Sequence, residues 1–468
     1  MTRRPRLPSL FVAASLVLAG GLSLAASGPA SADIVTSETA DGGYTPVTPA
    51  RILDTRYAIG PISGPIGAGR SIDLQIDGRG GVSAANVSAV VINITVVNPT
   101  AKSGFLTIYP SGTSRPVVSS INWTAARWVG ANLVTVPVGS NGKITIYNSG
   151  GSTNVVGDVM GYYRSATAAP STTGAYGSYL PADTPTRLYD SREKSFNPSG
   201  LPLAPYSYQP VCVTFNDPDV EAHTKALVVN VTATAPAASG YLAAWDGLET
   251  DYPSTSTLNF VKGQTVANMA VVPTSLTTSG VCTGLPTIAV ANGSAGATHI
   301  IVDLVGIYDD NQIDRSSHDA FRYRAVTPTR IVDSRKALGM PTLGPKATGT
   351  VTVPGSFLTP YTGGIIANLT DVQPTAANFL TVWPPVPLQP MPVVSNLNAA
   401  AHAIVANMMV TGLTDTAGFN VYNGSAGSTN VLVDVVGTLE YYDVQPSTAA
   451  AGRPAKAPLR AAPVPGNG

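Results

Sequence analysis

The stretch AVVINITVV, residues 89–97, places Val90, Ile92, Ile94 and Val96 on one face of an extended chain and Asn93 and Thr95 on the other. β-Branched residues at period two describe a half-buried antiparallel strand. The alternation returns with Val229 and Val231 against Asn230 and Thr232, and again with Ala367 and Leu369 against Asn368 and Thr370. Runs such as GSNGK (139–143) and YNGSAGSTN (422–430) mark turns between short strands, and no segment carries a capped apolar stripe of helical period.

The flanks of these strands repeat as well. TPARILDTR (48–56), TPTRLYDSR (184–192) and TPTRIVDSR (327–335) open three units, and NVVGDVMGYY (154–163), HIIVDLVGIY (299–308) and NVLVDVVGTL (430–439) close them. Arg51 to Arg187 spans 136 residues and Arg187 to Arg330 spans 143. Such periods are too long for solenoid or propeller units and suit whole small domains. The expected fold is all-β, with three tandem β-sandwich or barrel-like domains at 45–164, 179–310 and 324–443. SATAAPSTTGAYGS (165–178) and NQIDRSSHDAFRY (311–323) read as linkers between them.

Lys plus Arg and Asp plus Glu number 27 each, so no basic surplus favours nucleic acid or an anionic membrane as partner. Residues 1–32 read as an export signal: Arg3, Arg4 and Arg6, an apolar centre LFVAASLVLAGGLSLAA, and Ala30-Ser31-Ala32 as a cleavage site. No second long apolar stretch follows, which argues against membrane insertion. The Pro/Ala-rich tail, 444–468, is expected to be disordered, and the protein to be secreted or loosely attached to the cell surface. In that compartment the only two cysteines, Cys212 and Cys282, are expected to form one disulfide.

The three openings, the Ala-Asn-[Leu/Met] stretches at 131, 267 and 406, and the Val-Asp-Val-Val-Gly type of closing resemble a repeat of exported actinobacterial proteins. Such repeats stand alone or accompany cell-wall hydrolase and other extracellular domains. The resemblance spans nearly all of the chain beyond residue 32 and implies exported β modules with a surface or extracellular role. It brings no established activity and no catalytic residues. The second unit departs most, with His299 at the closing asparagine and with both cysteines.

His223, His299, His318 and His402 fall at no repeated position and form no His-Glu-x-x-His pattern. Nucleophile-elbow, Walker and dinucleotide fingerprints are missing. We therefore expect no catalytic residues, no metal and no cofactor. The acidic runs NDPDVEAH (216–223) and DDNQID (309–314) lack EF-hand spacing and read as solvated loops. Asn93, Asn230 and Asn368 fit the glycosylation pattern, as does Asn122. Recurrence of the first three at one strand position marks them as structural, with amides bonding backbone or threonine hydroxyls.

Two constellations remain. FLTIY (105–109), YLAAW (241–245) and FLTVW (379–383) set aromatics on one strand face, so Phe105, Tyr109, Tyr241, Trp245, Phe379 and Trp383 are candidate platforms for sugar rings. The alternative is that they pack against the sister sheet or the adjoining loop. In the closing runs Asp158, Asp303 and Asp434 sit among apolar residues and need donors. The expected pairs are Arg56 with Asp158, Arg192 with Asp303 and Arg335 with Asp434. The functional expectation is a non-catalytic exported protein that binds a cell-wall or environmental polysaccharide, or acts in surface adhesion. A structural spacer that recognises proteins and an exported hydrolase with an unrecognised site are the alternatives.

Overall fold

The computed structural model describes residues 42–165, 177–248, 253–277, 280–314, 317–385, 391–442 and 459–464. Residues 1–32, read above as an export signal, and most of the tail lie outside them.

Repeat 1 contains β1 (Tyr44–Asp54), β2 (Ser71–Gln75), β3 (Val87–Val97), β4 (Gly104–Pro110), β5 (Ile121–Trp123), β6 (Val129–Pro137), β7 (Lys143–Asn148) and β8 (Asn154–Arg164). Its two antiparallel sheets run β1-β8-β3-β6 and β2-β7-β4-β5. Two four-stranded sheets in this order form an eight-stranded jelly roll. Repeat 2 builds the same pair from β9 (Tyr179–Asp190), β10 (Tyr208–Thr214), β11 (Thr224–Thr234), β12 (Gly240–Trp245), β13 (Leu258–Phe260), β14 (Val266–Pro273), β16 (Pro286–Asn292) and β17 (His299–Asp309). It adds β15 (Ser275–Leu276) and the short helix α1 (Pro218–His223). Repeat 3 uses β18 (Phe321–Asp333), β19 (Thr348–Thr352), β20 (Thr362–Val372), β21 (Asn378–Trp383), β22 (Leu397–Ala399), β23 (Ile404–Gly412), β24 (Gly418–Asn423) and β25 (Asn430–Tyr441). The all-β sandwich expectation holds.

Alternation places one apolar face of each sheet inside its own sandwich. In repeat 1, Val90, Ile92, Ile94 and Val96 meet Leu106, Ile108, Ile144 and Ile146. The other face of the first sheet is not half-exposed as expected. Asn93 and Thr95 are buried, because that face packs on the other repeats. Ala89, Val91 and Leu133 of repeat 1 share one core with Val228 and Met269 of repeat 2 and Ile366 and Met408 of repeat 3. Tyrosines continue it: Tyr44 stacks on Tyr308 and Tyr163 on Tyr323, each pair at 4.2 Å between ring centroids. The described residues accordingly belong to one compact unit.

Several expected boundaries shift for the same reason. The segment 311–323 is no free linker: Ile313 and Ala320 are buried in the core of repeat 2, and Phe321 already pairs with Tyr441 and Tyr179. The tail is not wholly disordered either. Leu459 enters the core of repeat 2, its carbonyl accepts from the Asp183 N–H at 2.9 Å, and β26 (Ala462–Pro463) pairs with the edge strand β10. Burial of a leucine and pairing of an otherwise open sheet edge outweigh the proline-rich composition.

Cys212 and Cys282 form the expected disulfide, closing a separation of 70 residues with a Cα–Cα distance of 5.8 Å. On the loop-entropy account, reduction should lower stability by about 4 kcal/mol. Urea midpoints with and without reductant check this, and coincident midpoints would contradict it.

Candidate functional site

The opening and closing motifs meet in every repeat, with a different arginine from the one expected. Across β1 and β8, Arg51 stands opposite Asp158; its Nε and Nη2 donate to the carboxylate at 2.9 and 3.1 Å. Arg187 grips Asp303 at 2.9 and 3.5 Å, and Arg330 grips Asp434 at 2.7 and 2.8 Å. Arg56, Arg192 and Arg335 instead fold back onto Asp54, Asp190 and Asp333, two residues earlier. The reason is strand geometry. A bulge after Arg51 ends the direct register, and Asp54 lies opposite Val156, so Arg56 has run past Asp158 by about 13 Å at 3.3 Å per residue.

The residue between Asp and the second Arg completes the latch. Thr55, Ser191 and Ser334 each use a hydroxyl to accept the N–H of Val155, Ile300 or Val431. The same hydroxyls contact Asn154, His299 and Asn430, so the histidine of repeat 2 occupies the asparagine's role. Burial pushes the Asp158, Asp303 and Asp434 carboxyls up, Asp303 to about 6, while the facing guanidinium holds each back. At Asp54 and Asp190 burial acts in the same sense, but the hydrogen bonds from Arg56 and Arg192 outweigh it and keep both low. At Asp333 the Arg335 hydrogen bond is itself the largest influence. These clusters are satisfied internally and hold strand to strand.

The aromatic strands point as the alternation requires. Leu106 and Ile108, Leu242 and Ala244, and Leu380 and Val382 enter the sandwich cores, which leaves the aromatics on the outer face. Three of the six platforms are nevertheless covered: Tyr109 is 8% exposed, Trp245 5% and Trp383 8%. The loop after β4 and after β21 turns back across this face, anchored by Thr107 Oγ1 donating to the Val118 carbonyl and Thr381 Oγ1 to that of Val394. Trp245 packs on Ala289 and Ala291 with Tyr208 edge-on at 5.7 Å. Tyr241 and Phe379 are half-buried over Gly293 and Gly424, where a Cβ would meet the rings at 2.2 and 2.3 Å. Ser149 stands at that point in repeat 1, and Phe105 remains 36% exposed.

A site that the sequence reading did not pick out lies where the three repeats converge. Asn268 donates to Asn93 Oδ1 at 2.9 Å, Asn407 to Asn230 Oδ1 at 3.0 Å and Asn132 to Asn368 Oδ1 at 2.8 Å. Each of the first-named asparagines also accepts a backbone N–H of the preceding repeat: Leu133 to Asn268, Met269 to Asn407 and Met408 to Asn132. The contacts therefore close a ring, repeat 1 to 2 to 3 to 1, about a pseudo-threefold axis.

Beside this ring opens a depression of about 490 Å³ lined by all three repeats. Ala131, Ala267 and Ala406 contribute to its apolar wall, with Trp128 and Phe379, and Asn122, Asn259 and Asn398 project from the edge strands β5, β13 and β22. Each of these amides donates to a serine three residues earlier, at 3.2, 3.3 and 3.1 Å. Their Oδ1 atoms receive no hydrogen bond from any described residue. One strand away from the three alanines, the buried hydroxyls of Thr95, Thr232 and Thr370 also have no partner among the described residues. The recurrence of SSINW (119–123), STLNF (256–260) and SNLNA (395–399) was the signal for these asparagines.

No protein-family model matches the chain, and no curated protein matches it in sequence. Among solved structures, similarity is found at 10% identity to a chain from work on the triple jelly roll fold and turret assembly of an archaeal virus. It covers 86% of this chain and 91% of that one, with a TM-score of 0.17. A chain of the Sulfolobus turreted icosahedral virus is similar at the same identity and TM-score, over 86% and 92%. Likeness at that score carries no argument about this protein.

Proposed function

We propose that the protein is an exported, non-catalytic binding protein for a cell-wall or extracellular glycan, and that the axial depression is its binding site. The observation that carries this reading is the convergence of Asn122, Asn259 and Asn398, each with an unused amide oxygen, around apolar walls. Such a pocket matches a sugar, whose hydroxyls donate to amide oxygens while its C–H faces lie on apolar and aromatic surface. Its volume lies in the ordinary range for small-ligand sites. The disulfide fits export to an oxidising compartment.

Sedimentation with peptidoglycan and insoluble polysaccharides tests the reading. The triple variant Asn122→Ala, Asn259→Ala, Asn398→Ala is expected to lose at least tenfold in retention, since three amide hydrogen bonds vanish together. Equal retention of variant and parent would refute it. A second reading, recognition of protein, is favoured by Val117, Leu248 and Val393, exposed on the three equivalent loops. Retention on extracellular protein that survives the asparagine variant but not Val117→Asp would favour that reading.

A further inference from the structure

The seam between repeats 1 and 3 holds a second cleft, of about 270 Å³, that shares Asn122 with the axial depression. Phe105, the most exposed of the six candidate aromatics, forms one side, and Arg115, Arg330 and Arg335 lie around it. Arg330 and Arg335 are held by Asp434 and Asp333. Arg115 has no carboxylate partner among the described residues and lies over the Tyr147 ring at 3.8 Å. Among the described residues, no acidic side chain lines the cleft. Three guanidinium groups thus face two carboxylates, and the odd cation, on the exposed Arg115, lines the cleft.

The sister seams differ at this point. Ser119, Ser256 and Ser395 are equivalent, because each offers its carbonyl to the strand asparagine of the neighbouring repeat, at 2.6 Å in all three cases. Counting back from them, Arg115-Pro116 corresponds to Tyr252-Pro253 and Met391-Pro392. Of these three sequence pairs only that of repeat 1 carries a cation. Like charges gathered without an internal counter-charge are unfavourable unless an anion joins them, and guanidinium groups bind carboxylate and phosphate in bidentate fashion.

From this geometry we infer that the seam is a subsite for an acidic sugar unit, with Phe105 as the stacking platform, Arg115 as the anion contact and Asn122 linking the unit to the axial depression. The inference rests on the glycan reading for the rest of the chain of sugars, and its own test is separable from it. The anion is a carboxylate or a phosphate diester, two forms of one oxyanion chemistry.

Calorimetric titration with trigalacturonate, its fully methyl-esterified form and a glycerol-phosphate oligomer decides the matter. The full chain is expected to bind one or both acidic probes at least tenfold more tightly than the ester, and the better probe identifies the oxyanion. Arg115→Met, which installs the residue of repeat 3, should erase that preference while leaving urea stability unchanged. The double variant Asn259→Ala, Asn398→Ala, which leaves Asn122 in the seam, keeps the preference for acid over ester even if neutral glycans do not bind at all, which separates failure of the depression from failure of the seam. Equal binding of acid and ester by the parent chain, or an undiminished preference in Arg115→Met, overturns the inference.

Discussion

An Asn268→Ala chain is expected to unfold in urea as one cooperative unit that has lost about 2–5 kcal/mol. The substitution leaves the Leu133 N–H and Asn93 Oδ1 buried without the partner that Asn268 supplied. An orphaned buried polar group costs about 1–3 kcal/mol, and a small cavity adds to it. The more informative outcome is the shape of the transition. Asn268 belongs to repeat 2, Leu133 and Asn93 belong to repeat 1, and the core around Leu133, Met269 and Met408 joins all three. Damage at one corner of the ring should therefore shift the whole transition. A separate early transition confined to one repeat, or a midpoint that does not move, would show that the ring is not what unites the repeats.

The second large effect concerns the latch. Arg51→Ala should destabilise the protein by about 2–4 kcal/mol, because Asp158 is fully buried and loses its bidentate partner. The upper end of the usual range is discounted, since the Arg51 side chain keeps 26% of its surface in solvent. In a double-mutant cycle, Arg51 and Asp158 should couple strongly, whereas Arg56 and Asp158 should agree with additivity to about 0.5 kcal/mol. The loss in Arg51→Ala should also shrink as pH falls. Burial raises the Asp158 carboxyl above its unfolded value, an acid so raised is more stable in the fold when protonated, and stability therefore declines as pH rises between the unfolded and the raised value. Coupling of Asp158 to Arg56 rather than Arg51 would reverse the assignment.

The latch illustrates how far residues can be read without coordinates. That Asp158, Asp303 and Asp434 needed cations followed from their apolar surroundings, and that the opening motif supplied them followed from its recurrence. Which arginine answered depended on a strand bulge, and a one-residue irregularity leaves no mark in the hydrophobic pattern. The aromatic strands tell the same story. Leu106 and Ile108 were legible as core by alternation, yet the fate of Tyr109 on the opposite face was set by a loop that folds back over it.

Asn93 and Thr95 mark the limit most sharply. Period-two alternation separates two faces of a strand by polarity; it does not say whether the polar face meets water or another polar face. Here Asn93 meets Asn268, and an amide that the sequence marked only as structural is one of the contacts that close the ring. Local chemistry determined by itself the strands, the three copies, the disulfide and the need for ion pairs, because each depends on neighbours within a strand or on residue type alone. The tertiary structure decided the pairing of arginine with aspartate, the covering of the aromatics, and the joining of three jelly rolls around one axial depression. Those outcomes depend on register, on how a loop folds back and, for the latch and the ring, on contacts between residues more than a hundred positions apart, which no local pattern encodes.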